Sequence, residues 1–181
     1  MTKSLNLFPL NSVVFPYQKV PLRIFEPRYL RLIDDCYKNS GEFGICMIKE
    51  GFEVGAPAIP VNVGTTVFIE EFTRLSDKLF NIVVKGKRRF RIKRYIHEQP
   101  LINVEVEWID SESPFFPGDY DLLRKLTTKL TGDRIKIPDD DCELFGLLGA
   151  LLAVRMRNKQ GVIELSETEI IPTIIRFLES I

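Results

Sequence analysis

Prolines interrupt the apolar segments at the start of this chain and limit what those segments can form. Four of them, at positions 9, 16, 21 and 27, lie among Phe, Leu, Val and Ile residues. Proline offers no backbone N–H to a sheet, so we expect edge strands, bends and connections here rather than central strands. Pro27 instead suits the first position of a helix, and apolar residues follow it at helical spacing as far as Tyr37.

The rest of the first 112 residues predicts short strands joined by turns. Residues 104–108 alternate apolar side chains with two glutamates, a period of two that is typical of half-buried strands. Two β-rich runs, 66–72 and 79–84, flank Ser76-Asp77-Lys78, which predicts a hairpin turn. Several short strands with many turns favour a small closed or nearly closed barrel.

Beyond residue 112 the pattern becomes helical. Asp119 is placed to cap one helix, and residues 166–169 form a capping box for another. The apolar run 144–154 predicts a buried helix, because a bilayer span needs about 20 residues. Gly146 and Gly149 belong to a stripe of small residues that would permit close contact with another helix. We therefore expect an α+β chain with a β-rich lobe, 1–112, and a helical lobe packed on it, 113–181.

Composition argues against several classes of function. Lys and Arg total 25, as do Asp and Glu, so the net charge gives no general attraction to nucleic acid or anionic lipid. Three widely spaced cysteines without a C-x-x-C motif indicate reduced thiols in a cytoplasmic protein. The N-terminal residues lack the apolar core of a signal peptide. We expect no association with a membrane.

The sequence also lacks the motifs of catalysis and cofactor binding. The only Gly-Lys pair, Gly86-Lys87, lacks the first glycine and the Ser or Thr that a phosphate-binding loop requires. His97 is the only histidine, which rules out His-rich metal sites, and no nucleophile motif lies near it. Carboxylates at 139–141 are explained by a helix start. We expect a protein with no catalytic residue, no metal and no cofactor.

Several segments, in this order and spacing, resemble the N-terminal domain of the ATP-dependent protease Lon. They are Phe8-Pro9-Leu10, Phe15-Pro16, Pro21 through Tyr29, Gly44-Ile45, Val63-Gly64-Thr65, Gly86 through Phe90 and Asn158 through Glu164. The resemblance implies a PUA-like, six-stranded pseudo-β-barrel followed by a helical lobe. The ATPase and protease regions of Lon do not follow Ile181, so we expect a stand-alone, non-enzymatic binding module.

The resemblance also implies partners, namely unfolded or extended segments of other proteins. It further implies a role as an adaptor or regulator of proteolysis, working with a protease or another protein. A groove for such segments would be lined by Arg23, Glu26, Arg28 and Tyr29. An alternative is that Glu26 and Arg28 brace the strand-to-helix corner by ionic hydrogen bonds while Tyr29 joins the core. Aromatic residues in or beside loops are candidates for exposed apolar surface, although most aromatic residues in such a chain belong to the core: Phe52, Phe72, Phe115 and Phe116.

A run of seven cations in ten residues, 85–94, supports an alternative function. Some PUA-like folds bind RNA, and a phosphate backbone would be followed by Lys87, Arg88, Arg89, Arg91, Lys93 and Arg94. The competing interpretation is an ion-paired strand face. If this strand pairs with residues 104–108, Arg89 or Arg91 faces Glu105 and Glu107. The zero net charge favours the ion-paired face, so we expect that nucleic acid is not a partner.

Overall fold

The protein, described by a computed structural model at residues 3–56, 58–155 and 158–181, folds into a strand-rich part followed by helices. This architecture confirms the predicted α+β class. In chain order the elements are β1 Lys3–Leu10, β2 Lys19–Ile24, α1 Pro27–Lys38, β3 Glu42–Glu50, β4 Ile59–Ser76, β5 Leu79–His97, β6 Asn103–Trp108, α2 Tyr120–Thr131, α3 Asp141–Arg155, α4 Lys159–Ile163 and α5 Glu167–Glu179.

The six strands form one sheet in the order β2-β5-β4-β3-β1-β6, and β6 pairs with β5 as well. That second pairing closes β5-β4-β3-β1-β6 into a barrel. β1 and β3 run parallel, and the other neighbouring strands run antiparallel. One edge of β5 serves two partners, because residues 80–85 pair with β2 and residues 90–97 pair with β6. β2 therefore lies outside the closed ring, and within the described sheet it has a free edge.

The helix starts, the turn and the helix caps that short sequence motifs predict are present in the structure. Pro27 is the first residue of α1, and Asp77-Lys78 turns the chain between β4 and β5. The Asp119 carboxylate accepts a hydrogen bond of 2.9 Å from the Leu122 N–H at the start of α2. Ser166 and Glu169 form the capping box of α5. These elements are confirmed because each depends on a few neighbouring residues only.

Close packing against α3 comes from a loop, so the prediction of a helix partner was wrong. A Cβ added to Gly146 would lie 2.4 Å from the Tyr17 carbonyl oxygen, and one added to Gly149 would lie 2.7 Å from the Phe15 Cβ. The loop between β1 and β2 fills this face because Phe15 belongs to the apolar core of the helical part. Among the helices that the structure describes, none is long and apolar enough to cross a bilayer.

Candidate functional site

Exposed apolar side chains lie in and beside the segment 51–60, which comprises the connection from β3 to β4 and the first two residues of β4, and which the structure describes except at residue 57. The apolar end surface, as it is termed below, consists of this segment's Phe52, Val54 and Ile59 together with Phe25 and Tyr95. These five side chains are between 40% and 79% exposed. Where exposed apolar side chains form a contiguous patch, they mark a binding site.

The first of three grooves at this surface, the edge groove, lies between β2 and the segment 51–60. Its volume is about 190 Å³. The Glu53 carboxylate accepts a hydrogen bond of 2.5 Å from the Asn11 N–H, which fastens the segment beside β1. Apolar residues dominate its lining, namely Phe8, Leu10, Leu22, Phe25 and Val54, and its polar groups come from Arg23, Glu26 and Glu53.

Two further grooves adjoin the edge groove through the same connecting segment. One, of about 450 Å³, runs between the start of α1 and residues 99–101 and is bordered by Gly55. The other, of about 250 Å³, lies between Ile59 and Tyr95. Glu53 and Val54 line the edge groove, Gly55 borders the second groove, and residues 58–60 line the third.

The predicted residues of the strand-to-helix corner all lie at these grooves. Glu26 and Arg28 form an ion pair of 3.0 Å, and Tyr29 is 6% exposed with its ring 4.3 Å from that of Phe8. The bracing interpretation therefore describes three of the four residues. Arg23 differs, since it is exposed and has no ion-pair or hydrogen-bond partner within the described ranges.

The remaining aromatic candidates lie elsewhere. Phe72 stacks on Tyr37 with 4.3 Å between ring centroids, and Phe115 is 55% exposed beside Tyr120. Phe116 is only 1% exposed and stacks on the Phe145 ring at 4.4 Å. The expectation of exposed surface at Phe116 was therefore wrong, because helix α3 covers its ring. Of the four loop aromatics, Phe52 belongs to the apolar end surface.

A cavity of about 540 Å³ lies where the end of α1, the strands β4 and β5 and residues 112–114 meet. Lys87 Nζ donates to Glu42 at 2.7 Å and to Glu112 at 3.3 Å, and the bond to Glu42 raises the pKa of Lys87. Burial raises the pKa of the Cys36 thiol to about 11, so it stays protonated at neutral pH. This junction cavity is thus lined by the Lys87–Glu42 ion pair and by a protonated thiol.

Most of the basic run 85–94 is occupied by contacts within the protein. The pairing of β5 with β6 is confirmed, and it brings Lys93 to Glu107 at 3.1 Å and Arg94 into a hydrogen bond with Glu105. The Arg88 guanidinium lies 3.6 Å from the centre of the Trp108 ring. Arg89 is completely buried, because the helical part covers this portion of the strand face. Arg91 is exposed and lies opposite Glu107 in the β5–β6 ladder, and neither Arg91 nor Lys85 forms an ion pair in the part of the chain that the structure describes.

Comparison with known proteins decides the family. Residues 4–170 match the model of the ATP-dependent protease La (LON) substrate-binding domain. The chain belongs to this family. The six-stranded sheet with its appended helices is thus the fold of a Lon substrate-binding domain. The family suggested by the sequence segments is confirmed.

Solved structures and curated relatives agree with this assignment. The chain is similar to a Lon N-terminal domain protein from Xanthomonas campestris, with a TM-score of 0.71, 27% identity and coverage of 97% of this chain and 98% of that one. It also shares its fold with the N-terminal domain of a Mycobacterium avium complex Lon protease, with a TM-score of 0.64 and 19% identity over 98% and 97% of the two chains. Lon protease 2 of Sorangium cellulosum is 28% identical over 173 residues, which are 87% of this chain but 21% of that protein. The chain therefore spans about a fifth of the length of this relative.

Sequence reasoning missed most of the apolar end surface of this Lon substrate-binding domain. Phe25, Val54, Ile59 and Tyr95 were not singled out, although Phe52 was. One signal was available in the segment itself. Gly51 and Gly55 have φ values of 99° and 93°, and glycines that bracket apolar residues mark a loop with no sheet to bury them. Such a loop exposes its apolar side chains unless another element covers it.

Proposed function

We propose that this domain is a non-enzymatic module that binds exposed, extended segments of other proteins. The observation that carries the proposal is the apolar end surface, whose five large side chains are 40% to 79% exposed, with Phe25 and Val54 lining the edge groove and Ile59 and Tyr95 lining another. Apolar side chains in water gain about 25 cal/mol per Å² when a partner covers them. Membership in a family described as a substrate-binding domain supports a protein as that partner.

The shape of this surface favours an extended partner over a folded one. The three grooves are small, about 190, 250 and 450 Å³, and are separated by the side chains of the connecting segment. A flexible chain can place one side chain in each groove, whereas the convex surface of a folded protein cannot follow all three. Segments with exposed apolar residues are abundant in unfolded chains, which fits a role as an adaptor or regulator of proteolysis in the cytoplasm, with a protease as a second partner.

RNA binding is the weaker candidate, because the basic run is largely paired. Arg89 is buried, and Lys87, Lys93 and Arg94 contact glutamates. A phosphate backbone would have to displace those carboxylates, since few cations of the run are free to release counterions on binding. The experiment below therefore includes RNA as a competing probe.

The test is a fluorescence anisotropy titration with a labelled, permanently unfolded, carboxymethylated polypeptide, run beside a labelled single-stranded RNA at low and physiological salt. We expect the polypeptide to bind with weak dependence on salt. Phe25→Ser combined with Phe52→Ser should weaken that binding by about tenfold or more, because two exposed apolar contacts of roughly 1 kcal/mol each are lost.

Phe115→Ser is the matched control, since Phe115 is as exposed as Phe25 but lies away from the grooves. Equal affinity of the double variant and the wild-type chain for the polypeptide would overturn the proposed surface. Salt-sensitive binding of RNA alone would overturn the proposed function and transfer it to the basic run.

A further inference from the structure

The free edge of β2 has a definite hydrogen-bonding pattern. The Gly86 N–H donates to the Gln18 carbonyl at 2.9 Å, so the backbone of residue 18 is directed toward β5. Alternation along an antiparallel pair then directs residues 20, 22 and 24 toward β5 as well, and residues 19, 21 and 23 toward the free edge. Pro21 agrees with this assignment, because proline is tolerated in a strand where its missing N–H faces away from the partner.

From this pattern we propose that an extended peptide adds to β2 as a further, antiparallel strand. The inference rests on the proposed function and specifies how the extended segment is held. The carbonyl groups of Lys19, Pro21 and Arg23 and the N–H of Arg23 lie on the free edge as hydrogen-bonding groups. Main-chain bonds of this kind give affinity for many sequences, while pockets for alternate side chains give preference.

The two sides of β2 are chemically different, and they specify the side chains of the peptide. On the inner side lies the edge groove, with its lining of Phe8, Leu10, Leu22, Phe25 and Val54. The outer side carries the exposed residues 19, 21 and 23 and a shallow groove of about 330 Å³ with Glu71, Thr73 and Asn81. Arg23 reaches both grooves and has no ionic partner in the described ranges. A strand with apolar side chains inward and an acidic side chain outward, opposite Arg23, is therefore the complement of this edge.

A second copy of this chain is a poorer occupant than an acidic peptide. Two β2 strands paired antiparallel about Pro21 would place Lys19 of each copy opposite Arg23 of the other. Lys19 already pairs with Glu70 at 2.7 Å, so it offers Arg23 no counter-charge, whereas an acidic peptide does. Lysine, arginine and proline on a free edge also discourage uncontrolled pairing in general. On the present proposal these residues admit acidic extended segments and reject cationic ones.

Backbone methylation of a defined peptide tests the proposal directly. The probe is an acetylated and amidated peptide of sequence Ser-Leu-Glu-Leu-Glu-Leu-Ser, labelled for anisotropy. In the antiparallel arrangement the two Glu residues direct their N–H groups toward β2, because their side chains share the outer face with Arg23. N-methylation of both Glu nitrogens should weaken binding by about tenfold or more, and N-methylation of the Leu nitrogens by about twofold at most.

Loss confined to the Leu-methylated peptide would overturn the antiparallel orientation and indicate a parallel strand instead. Equal affinities of the two methylated peptides would overturn strand addition itself, since side-chain contacts alone do not distinguish the two sets of nitrogens. Should the unfolded polypeptide still bind through Phe25 and Phe52 in that case, the proposed function would stand while strand addition fails. Failure of the polypeptide itself to bind would remove the proposed function instead.

Variants at one position separate the backbone contribution from the charge. Arg23→Pro removes an N–H on the free edge, and the native Pro21 shows that this side of the strand accepts proline. Arg23→Ala keeps the N–H and removes the guanidinium. We expect both variants to bind the Glu peptide several-fold more weakly, but only Arg23→Pro to weaken a peptide with Gln in place of Glu.

Circular dichroism and thermal unfolding verify that both variants are folded. The proposal requires that Arg23→Pro bind the Gln peptide more weakly than Arg23→Ala does. Identical affinities of the two variants for this peptide would contradict the backbone contact. Analytical sedimentation of the wild-type chain, at the concentration used for peptide binding, tests whether a second copy of the chain occupies the β2 edge. A dimer that Arg23→Pro dissociates would overturn the peptide proposal in favour of a second copy.

Discussion

Arg89 and Asp110 form a completely buried ion pair between the barrel and the helices. The Arg89 Nη2 lies 2.6 Å from the Asp110 Oδ1, and both side chains are 0% exposed. The Arg89 backbone N–H also donates to the Asp110 carboxylate, at 2.8 Å. Its Nη1 donates to the carbonyl group of Ile163, the last residue of α4, at 2.8 Å and to that of Leu165, between α4 and α5, at 2.6 Å. One side chain therefore ties β5, the segment after β6 and the helical part together.

Removal of Arg89 should strongly destabilise the fold. Arg89→Met leaves the Asp110 carboxylate buried without a counter-charge, and we expect a loss of about 3–5 kcal/mol in the free energy of unfolding, measured in urea. Arg91→Met is the control and should change stability by less than about 0.5 kcal/mol, because Arg91 is exposed. Adding Asp110→Leu to Arg89→Met should restore part of the loss. Equal effects of the two Arg variants would contradict the structural role of Arg89.

Gly146→Ala tests the contact between α3 and the loop before β2. Alanine stabilises an isolated helix by about 1 kcal/mol relative to glycine. At this position the new Cβ would lie 2.4 Å from the Tyr17 carbonyl oxygen, a backbone atom that cannot rotate away. We therefore expect a net destabilisation of about 1–3 kcal/mol in thermal or urea unfolding. A more stable variant would show that the loop does not contact the helix so closely.

The Lys87–Glu42 pair predicts a specific loss of stability at alkaline pH. Hydrogen bonding to Glu42 raises the pKa of Lys87 above its ordinary 10.5. A group whose pKa is raised in the folded state contributes its stability fully below the unfolded value and loses it as pH rises through the folded value. The difference in unfolding free energy between the wild-type chain and Lys87→Met should therefore be constant from pH 7 to 9 and shrink above about pH 10.5. Lys87→Arg keeps its charge and should show no such decline, and a difference that is independent of pH would refute the pairing.

The contact between Arg88 and Trp108 can be followed by fluorescence, because Trp108 is the only tryptophan. The Arg88 guanidinium lies 3.6 Å from the ring centre, an arrangement worth about 0.5–1 kcal/mol at a partly exposed site. Arg88→Ala should expose the ring to water, shift its emission to longer wavelength and lower stability by a similar amount. Arg91→Ala serves as the control. Identical emission from the two variants would mean that Arg88 does not cover the ring.

Sequence patterns predicted the elements of this fold that depend on neighbouring residues. The start of α1 at Pro27, the turn at Asp77-Lys78 and the capping box at Ser166 each require only residues within a few positions. The pairing of β5 with β6 also followed, because the cations of one strand matched the glutamates of the other. Such signals survive folding because the interactions that produce them are made within one element or between two neighbouring strands.

The burial of a side chain could not be predicted from the sequence where segments distant in the chain cover it. Arg89 and Arg91 share a strand face and an identical sequence pattern, yet Arg89 is buried and Arg91 is exposed. The difference arises because residues 163–165 and Phe116 cover the position of Arg89 and end before that of Arg91. The apolar end surface has the same origin, since it combines the end of β2, the 51–60 segment and the end of β5.

Hydrogen–deuterium exchange on the domain saturated with the unfolded polypeptide tests the location of the binding surface most directly. The account predicts slower exchange of amides in residues 22–26 and 51–60, and unchanged exchange in residues 85–94. Protection confined to residues 85–94, or to residues 112–114 at the junction cavity, would contradict it.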